Sequence, residues 1–277
     1  MVDDRRELLS CYLGKIATLR RRLSSAEAVA DVLRERILEG ADGMLPTQDE
    51  LMAEFDVSKA AVREACRILE TEGLLSIRRG NVGGAAMHQP TPTNVAYSLS
   101  LVLDARGVAL ADVRATVGEI EPLCAGLCAA RRDRKRAVLP PLRRANERLV
   151  AALEGGDGSA AALAARDWHE ALVRGCGLET LAVIGGALED VWSSHIRAGL
   201  SATRERSLSP DPVLSRSVVD DHERVVDLIA AGDAAGATDA AADHLRHQPR
   251  IHAHGDVAAL DVRAQVVRDH LFANPGA

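Results

Sequence analysis

Three histidines in the second half of the chain are spaced so that they could share one metal ion. His222 and His244 each lie 11 residues from Asp233, which can cap a helix after the turn at 231–233. At 1.5 Å per residue each lies about 16 Å from that turn, so an antiparallel helix pair places them at the same height. His169 lies within an earlier helical pattern. Three imidazoles that converge inside a helical bundle, His169, His222 and His244, could hold a divalent metal such as zinc, nickel or manganese. The alternative is that they are surface or core polar groups.

A second group of residues has the chemistry of nucleic-acid recognition. Residues 58–73 form a helical pattern between Ser58, a good N-cap, and Gly73, a good helix stop. The inward stripe contains Val62, Cys66 and Leu69, and the neighbouring stripe contains Lys59, Arg63, Arg67 and Glu70. We expect Glu64 to point away from this basic stripe. One face of the helix can then pack while the adjacent face meets phosphates and base edges.

The segments on either side complete a DNA-binding unit. Thr47 and Glu50 form a capping box for a helix that runs to about Phe55, and residues 56–57 make a short turn before the basic helix. After Gly73, the runs 74–78 and 85–88 read as two strands around a glycine-rich turn. This is a helix-turn-helix followed by a β-hairpin wing. The predicted DNA contacts are Ser58, Lys59, Ala60, Arg63 and Arg67 on the helix and Arg78, Arg79 and Gly80 in the wing.

These residues resemble the winged helix-turn-helix of GntR-type regulators. The resemblance covers about residues 26–88 and rests on Gly43-Met-Leu-Pro46, Glu50-Leu51, Val57-Ser58, Val62-Arg63-Glu64-Ala65, Leu69-Glu70, Glu72-Gly73-Leu74-Leu75 and the Arg-Arg-Gly wing. It implies that the partner is double-stranded operator DNA. Asp49 departs from the family, which often has a basic residue in this segment.

The net charge of −6 does not exclude a DNA-binding role. Residues 58–80 hold five basic and three acidic side chains, and DNA responds to the local field within about 8–10 Å. Few phosphate contacts per subunit make a monomer a weak binder, so we expect a homodimer on a two-fold operator. No run approaches the roughly 20 apolar residues of a membrane span, and no signal-peptide pattern opens the chain. We expect a cytoplasmic protein with no membrane partner.

The chain reads as mainly α-helical, with two domains. We expect an N-terminal extension at 1–24, the winged domain at 25–88, a linker at 89–93, an all-α effector-binding and dimerisation domain at 94–250, and a C-terminal tail at 251–277. The helical patterns lie at 94–104, 110–131, 140–154, 159–175, 180–200, 215–231 and 234–247, with a weaker one at 257–272. Pro140-Pro141 is among the expected breaks, and His222 is expected to open its helix.

The second half resembles the FCD effector domain of the FadR subfamily over about residues 95–248. The matching features are Glu121-Pro122, Ala129-Ala130-Arg131, Trp168-His169, Asp221-His222-Glu223-Arg224, Gly232-Asp233 and Ala241-Ala242-Asp243-His244-Leu245. The resemblance implies a metal held by three histidines and an aspartate beside a small carboxylate effector. Ala165 stands at the aspartate position and Val117 at that of a family arginine. Arg114, one turn earlier, is the candidate substitute, so the predicted effector-binding residues are Arg114 and the three histidines.

The sequence therefore predicts a ligand-responsive transcription regulator, a repressor of a metabolic operon, and not an enzyme. Two alternatives stay open. The first is a metalloenzyme that uses the three-histidine site, although no nucleophile or general-base motif accompanies it. The second is a thiol redox switch through Cys124 and Cys128, which lie one helical turn apart; the five cysteines otherwise read as small buried residues, and none forms a CxxC pair.

Overall fold

A computed structural model describes residues 24–78, 84–204, 212–247 and 260–273 of the chain. The chain divides into two compact units, Met1–Pro90 and Thr91–Ala277. The first combines helices with a small sheet, and the second is built from helices. This is the mainly α-helical architecture that the sequence predicts.

The first unit begins with three helices packed around one apolar core. They are α1 (Ser25–Leu38), α2 (Gln48–Phe55) and α3 (Lys59–Thr71). Helix α1 is amphipathic, and its Val29, Leu33 and Ile37 are buried against Leu51 and Leu69 of the other two helices. The core therefore holds α2 and α3 in the tight arrangement that the sequence predicts.

Local signals set the ends of these helices. Thr47 and Glu50 form the predicted capping box, in which the Thr47 backbone N–H donates to Glu50 Oε2 over 2.7 Å. The turn between α2 and α3 is made by Asp56, which adopts a left-handed conformation with φ 51°. Gly73 follows α3 with φ 74°, a conformation that glycine adopts without a steric cost from a side chain.

The wing is a three-stranded antiparallel sheet rather than the predicted two-stranded hairpin. Its strands are β1 (Gly43–Met44), β2 (Leu75–Arg78) and β3 (Gly84–Met87), in the order β1-β3-β2. Leu75 pairs with Met87 and Arg78 with Gly84, whereas Gly43 pairs with Met87 from the other side. A two-residue strand is too short to show an alternating pattern, so β1 has no sequence signal.

The second unit contains nine helices among the described residues. They are α4 (Pro92–Ala105), α5 (Leu110–Ala130), α6 (Arg134–Ala137), α7 (Leu139–Glu154), α8 (Gly158–Gly175), α9 (Glu179–Arg204), α10 (Pro212–Ala231), α11 (Ala234–His247) and α12 (Ala264–Ala273). The principal core surrounds Trp168, with Leu142, Leu172 and Ile229 also fully enclosed. A smaller core joins α4, α5 and α9 to the segment before α12.

Prolines begin helices where the sequence analysis expected them to separate helices. Pro92, inside the predicted linker, is the first residue of α4, and Pro140-Pro141 lie in the first turn of α7. The first-turn N–H groups of a helix have no partner within it, so proline is tolerated there. The helical part of the second unit therefore starts two residues before the predicted position.

Candidate functional site

The recognition helix α3 presents two distinct faces. Ser58 caps it, its hydroxyl accepting the Ala61 N–H over 3.3 Å. The buried face consists of Ala61, Val62, Ala65 and Leu69, whereas the predicted contact residues Ser58, Lys59, Ala60, Arg63 and Arg67 are all exposed. Burying the apolar stripe against α1 thus turns the basic stripe outward, where DNA could reach it.

The two arginines of this stripe have different surroundings. The expectation that Glu64 points away is wrong for Arg67, because Arg67 Nη1 lies 3.4 Å from Glu64 Oε2. Residues three apart on a helix are neighbours, and this spacing brings the two side chains together. Lys59 and Arg63 form no ion pair or hydrogen bond with another described residue. They are the uncompensated positive charges of α3.

The wing residues are only partly described. Arg78 is the last residue of β2, and its backbone pairs with Gly84. Arg79 and Gly80, which were predicted to contact DNA, lie outside the described residues. The base of the hairpin packs in the same apolar core as the recognition helix, since Leu75 and Met87 lie in one cluster with Leu69.

In the second unit the structure brings the three predicted histidines together. His169 lies on α8, His222 on α10 and His244 on α11, and one potential ligand atom of each lies within 4.8 Å of the others. All three are buried, and their ring centroids are 4.7–5.5 Å apart. His222 lies in the middle of α10, not at its start, because that helix extends back to Pro212.

Each ring has an oxygen beside its Nδ1 atom. His169 Nδ1 lies 2.7 Å from Glu121 Oε2, His222 Nδ1 lies 3.2 Å from Asn146 Oδ1, and His244 Nδ1 lies 3.3 Å from Asp221 Oδ2. These three oxygens were not identified from the sequence. An acceptor at Nδ1 sets the tautomer and leaves Nε2 as the metal-binding nitrogen, an arrangement common behind histidine ligands.

The cluster fits a metal ion by a second observation. His222 Nε2 is buried and has no hydrogen-bond partner among the described residues. A buried polar atom without a partner costs free energy, and the other two histidine ligand atoms lie close to it. A shared divalent cation would satisfy this nitrogen.

Burial keeps the three imidazoles neutral. It lowers the pKa of His169, places that of His222 well below its ordinary value, and lowers that of His244 to about 3. The other histidines of the cluster act in the same direction on His222 and His244. Trp168 covers one face of His222, with ring centroids 3.8 Å apart and planes inclined by 1°. Neutral imidazole is the form that binds metals.

Two buried carboxyl groups lie beside the histidine cluster. Burial raises the pKa of Glu121 to about 7 and that of Glu189 to about 8. The interaction between the two carboxyls lowers the pKa of Glu121 and raises that of Glu189, and the charge of Arg114 lowers both. Of the two carboxyls, Glu121 has the lower pKa and is the one that contacts a histidine ring.

The structure shows the surroundings of Arg114, the candidate substitute for the family arginine, and of Ala165, at the family aspartate position. Arg114 donates from Nη2 to the Leu245 carbonyl over 2.5 Å and lies over the Trp192 ring. Its charge lowers the pKa of Glu121 and Glu189, which puts it in the electrostatic field of the site. Ala165 packs in an apolar cluster with Leu149 and others, and it offers no ligand atom.

The cysteines of the second unit form a buried group. Cys124, Cys128 and Cys176 are enclosed, and all three carry free thiols. Burial raises the pKa of Cys124, and Cys176 is the neighbour that adds most to this shift. Burial also raises the pKa of Cys128 to about 12. Thiols that stay protonated at neutral pH are poor nucleophiles, so these surroundings do not favour the redox alternative.

Both halves of the chain match known protein families. Residues 25–82 match the bacterial regulatory proteins of the gntR family, and residues 111–247 match the FCD domain. These ranges contain the recognition helix and the three histidines, respectively. The family consists of transcription regulators and not of enzymes. No helix in the described part of the chain is long and apolar enough to cross a membrane.

Individual relatives agree with this assignment. The HTH-type transcriptional repressor NanR of Klebsiella aerogenes is 34% identical over 101 residues, a match that spans 35% of this chain and only 37% of that protein. A solved structure of Streptococcus agalactiae GntR shares the fold with a TM-score of 0.55 and 22% identity, over 80% of this chain and 97% of the other. The chain belongs to the GntR family of bacterial transcription regulators and carries an FCD effector domain.

Proposed function

We propose that this protein is a homodimeric, FadR-subfamily repressor of a metabolic operon, whose affinity for its operator responds to a small carboxylate bound in the FCD domain. The observation that carries this proposal is the cluster of three buried histidines in a unit joined to a DNA-binding domain. The name of the Klebsiella aerogenes relative supports repression rather than activation. Action on DNA is consistent with a cytoplasmic location.

The DNA contacts follow from the exposed face of α3. Arg63 lies on the outer face of the helix and has no ion-pair partner among the described residues, so its guanidinium can form two hydrogen bonds with a guanine or bind a phosphate. Lys59 and the helix N-terminus behind Ser58 are placed to bind the backbone phosphates. The small side chain of Ala60 allows the DNA backbone to approach the helix closely, and Arg67 contributes less than Arg63 because its charge is paired with Glu64. In the wing, the minor groove or its phosphates are contacted by Arg78, Arg79 and Gly80.

The metal centre would be held by His169, His222 and His244. Each ring would bind through Nε2 because Nδ1 faces an oxygen. Zinc, nickel or manganese bound by three protein ligands would supply a Lewis-acidic position for an anionic oxygen. Arg114 lies close enough to influence the charge of the site, so a carboxylate effector meets positive charge from the protein as well.

The regulatory response would be a shift between two arrangements of the dimer. An effector that binds one arrangement more tightly changes the population in which both recognition helices fit the operator. The effector therefore acts on affinity for DNA without touching DNA. The histidines come from α8, α10 and α11, so binding at the cluster joins three helices of the effector unit.

The test combines metal analysis with operator binding. Protein purified without chelator is analysed for metals, titrated with zinc, nickel and manganese, and screened by thermal shift against small carboxylates with and without metal. We expect one divalent ion per chain, a carboxylate that raises the melting temperature only when metal is present, and a matching change in operator affinity. His222→Ala should abolish all three responses. Carboxylate-dependent release of DNA by metal-free His222→Ala protein would reject the metal-centred proposal and leave a metal-free ligand pocket.

A further inference from the structure

Three neutral imidazoles leave the charge of a divalent cation uncompensated in a buried site. Placing such a charge in an apolar interior is expensive unless a negative group lies near. Two of the three Nδ1 partners are carboxyl groups, and the third, Asn146, is neutral. The negative charge that compensates the cation can therefore come from the carboxyl groups that contact the Nδ1 atoms of the rings.

The two carboxyl groups differ strongly in their surroundings. The Glu121 side chain is 2% exposed and lies 2.7 Å from His169, whereas the Asp221 side chain is 39% exposed and lies 3.3 Å from His244. Solvent screens the charge of an exposed carboxylate far more than that of a buried one. Of the two carboxyl groups that contact a ring, Glu121 is thus the one whose charge is screened less by solvent.

We propose that Glu121 is a positioning residue for the metal centre. Its carboxylate accepts the Nδ1 proton of His169, directs the Nε2 lone pair of that ring toward the other histidines, and supplies negative charge to the cation through the imidazole. This inference rests on the metal centre of the proposed function.

The contribution of Glu121 is measured as zinc affinity of the full-length protein, by competition with a chelating dye. Glu121→Gln keeps the size of the side chain and removes its charge. Carboxylates behind histidine ligands typically contribute 10–100-fold to metal affinity, so we expect a loss of that order. Asp221→Asn is the matched control, and we expect about threefold or less because its charge is screened.

Moving the negative charge from Glu121 to another position beside the histidines distinguishes an electrostatic role of Glu121 from a purely structural one. Asn146→Asp places a carboxylate behind His222 at the position of an amide that is already 3.2 Å from the ring. In the Glu121→Gln background this change should recover most of the lost affinity, which repacking alone would not achieve. The visible spectrum of bound cobalt(II) should keep the same coordination number in every variant. If Glu121→Gln does not fold, Glu121→Asp, which keeps the charge but withdraws it from the ring, should give an intermediate loss.

Several results would overturn the inference. Parent-like zinc affinity in Glu121→Gln, an equal loss in Asp221→Asn, or no recovery by Asn146→Asp would each remove the special role of Glu121. A cobalt(II) spectrum with one ligand fewer in Glu121→Gln would make Glu121 a direct ligand instead. Failure of the parent protein to bind zinc, nickel or manganese would reject the metal centre itself, and the inference with it.

Discussion

At the scale of single residues, two arginines on the same face of α3 differ because only one of them forms an ion pair within the described part of the chain. Arg67 shares its charge with Glu64, whereas Arg63, one turn earlier, has no such partner among the described residues. Both side chains are exposed. The free charge of Arg63 makes it the stronger candidate for a contact with a base edge.

Replacing Arg63 with alanine should lower operator affinity about tenfold or more, because a bidentate arginine–guanine contact contributes roughly 1–3 kcal/mol of discrimination. Arg67→Ala serves as the matched control and should have a smaller effect, since the Arg67 guanidinium is already engaged by Glu64 and is less available to a base edge. Fluorescence anisotropy titrations with a labelled operator at fixed salt measure both, and circular dichroism checks that each variant is folded. Equal losses in the two variants would contradict the distinction drawn between them.

At the scale of elements, a C-terminal segment completes the core of the effector unit. Sequence analysis assigned it to a tail with a weak helical pattern, and the structure shows α12 packed on α4 and α9. The segment before α12 pairs with the loop before α5, since Val262 N–H donates to the Val108 carbonyl and Leu110 N–H to the Leu260 carbonyl. The Asp104 carboxylate accepts a hydrogen bond over 2.9 Å from the backbone N–H of Ala264, the first residue of α12.

His195 on α9 holds this segment through a contact that depends on protonation. Its Nε2 accepts the Arg263 N–H over 2.9 Å, and its Nδ1 donates to the Val191 carbonyl over 2.8 Å. Burial lowers the pKa of His195, while Asp104 and the Val191 carbonyl act in the opposite direction. The neutral ring therefore dominates at pH 7. Because the pKa in the folded state is the lower one, the stability from this contact is present above about pH 6.5 and is lost as the pH falls.

Hydrogen exchange at the Arg263 amide tests this dependence. Its protection factor should fall on acidification from pH 7.5 toward 5, by up to about tenfold per pH unit once His195 titrates in the open form of the segment. His195→Gln, which keeps an acceptor but cannot gain a proton, should show a flat profile. The same pH dependence in both proteins would mean that another group controls the attachment of the segment.

At the scale of the whole molecule, the chain separates recognition from sensing. Its net charge of −6 contrasts with the exposed cations of α3, so long-range attraction to DNA is weak and short-range contacts must be repeated to give affinity. A two-fold dimer repeats them and matches a palindromic operator. In the proposed dimer, this repetition would respond to the effector unit, which forms a compact unit with its own core.

A salt titration measures how many subunits contact DNA. The logarithm of affinity falls with the logarithm of salt concentration by about 0.9 per phosphate contact. Two duplexes are compared, and the operator sequence is first obtained by in vitro selection. One carries both half-sites, and the other carries a single half-site on DNA too short for a second subunit to bind. The slope for the first duplex should be about twice that for the second. Identical slopes on the two duplexes would indicate that one subunit makes all the contacts.

Local signals along the chain were enough to predict most helices and the family-level function. The caps at Thr47 and Ser58, the stop at Gly73 and the periodic apolar stripes act over a few residues, so they can be read without knowledge of the fold. The level placement of His222 and His244 also followed from helix geometry alone, because both flank the same turn at equal distances. The short strand β1 and the helix start at Pro92 were not predicted, because the first depends on strand pairing and the second on the tolerance of proline in a first turn.

Tertiary structure alone decided which groups stand behind the histidines. Glu121 and His169 are 48 residues apart in the chain, and Asn146 and His222 are 76 residues apart. Residues this far apart in the chain are not neighbours on one helix, so helical periodicity cannot pair them. Within their own helices, Glu121 and Asn146 look like ordinary polar residues. Packing of α5 and α7 against α8 and α10 brings these oxygens to the rings. The electrostatic character of the site is therefore a property of helix packing, because burial and distance, not residue type, set the strength of each charge.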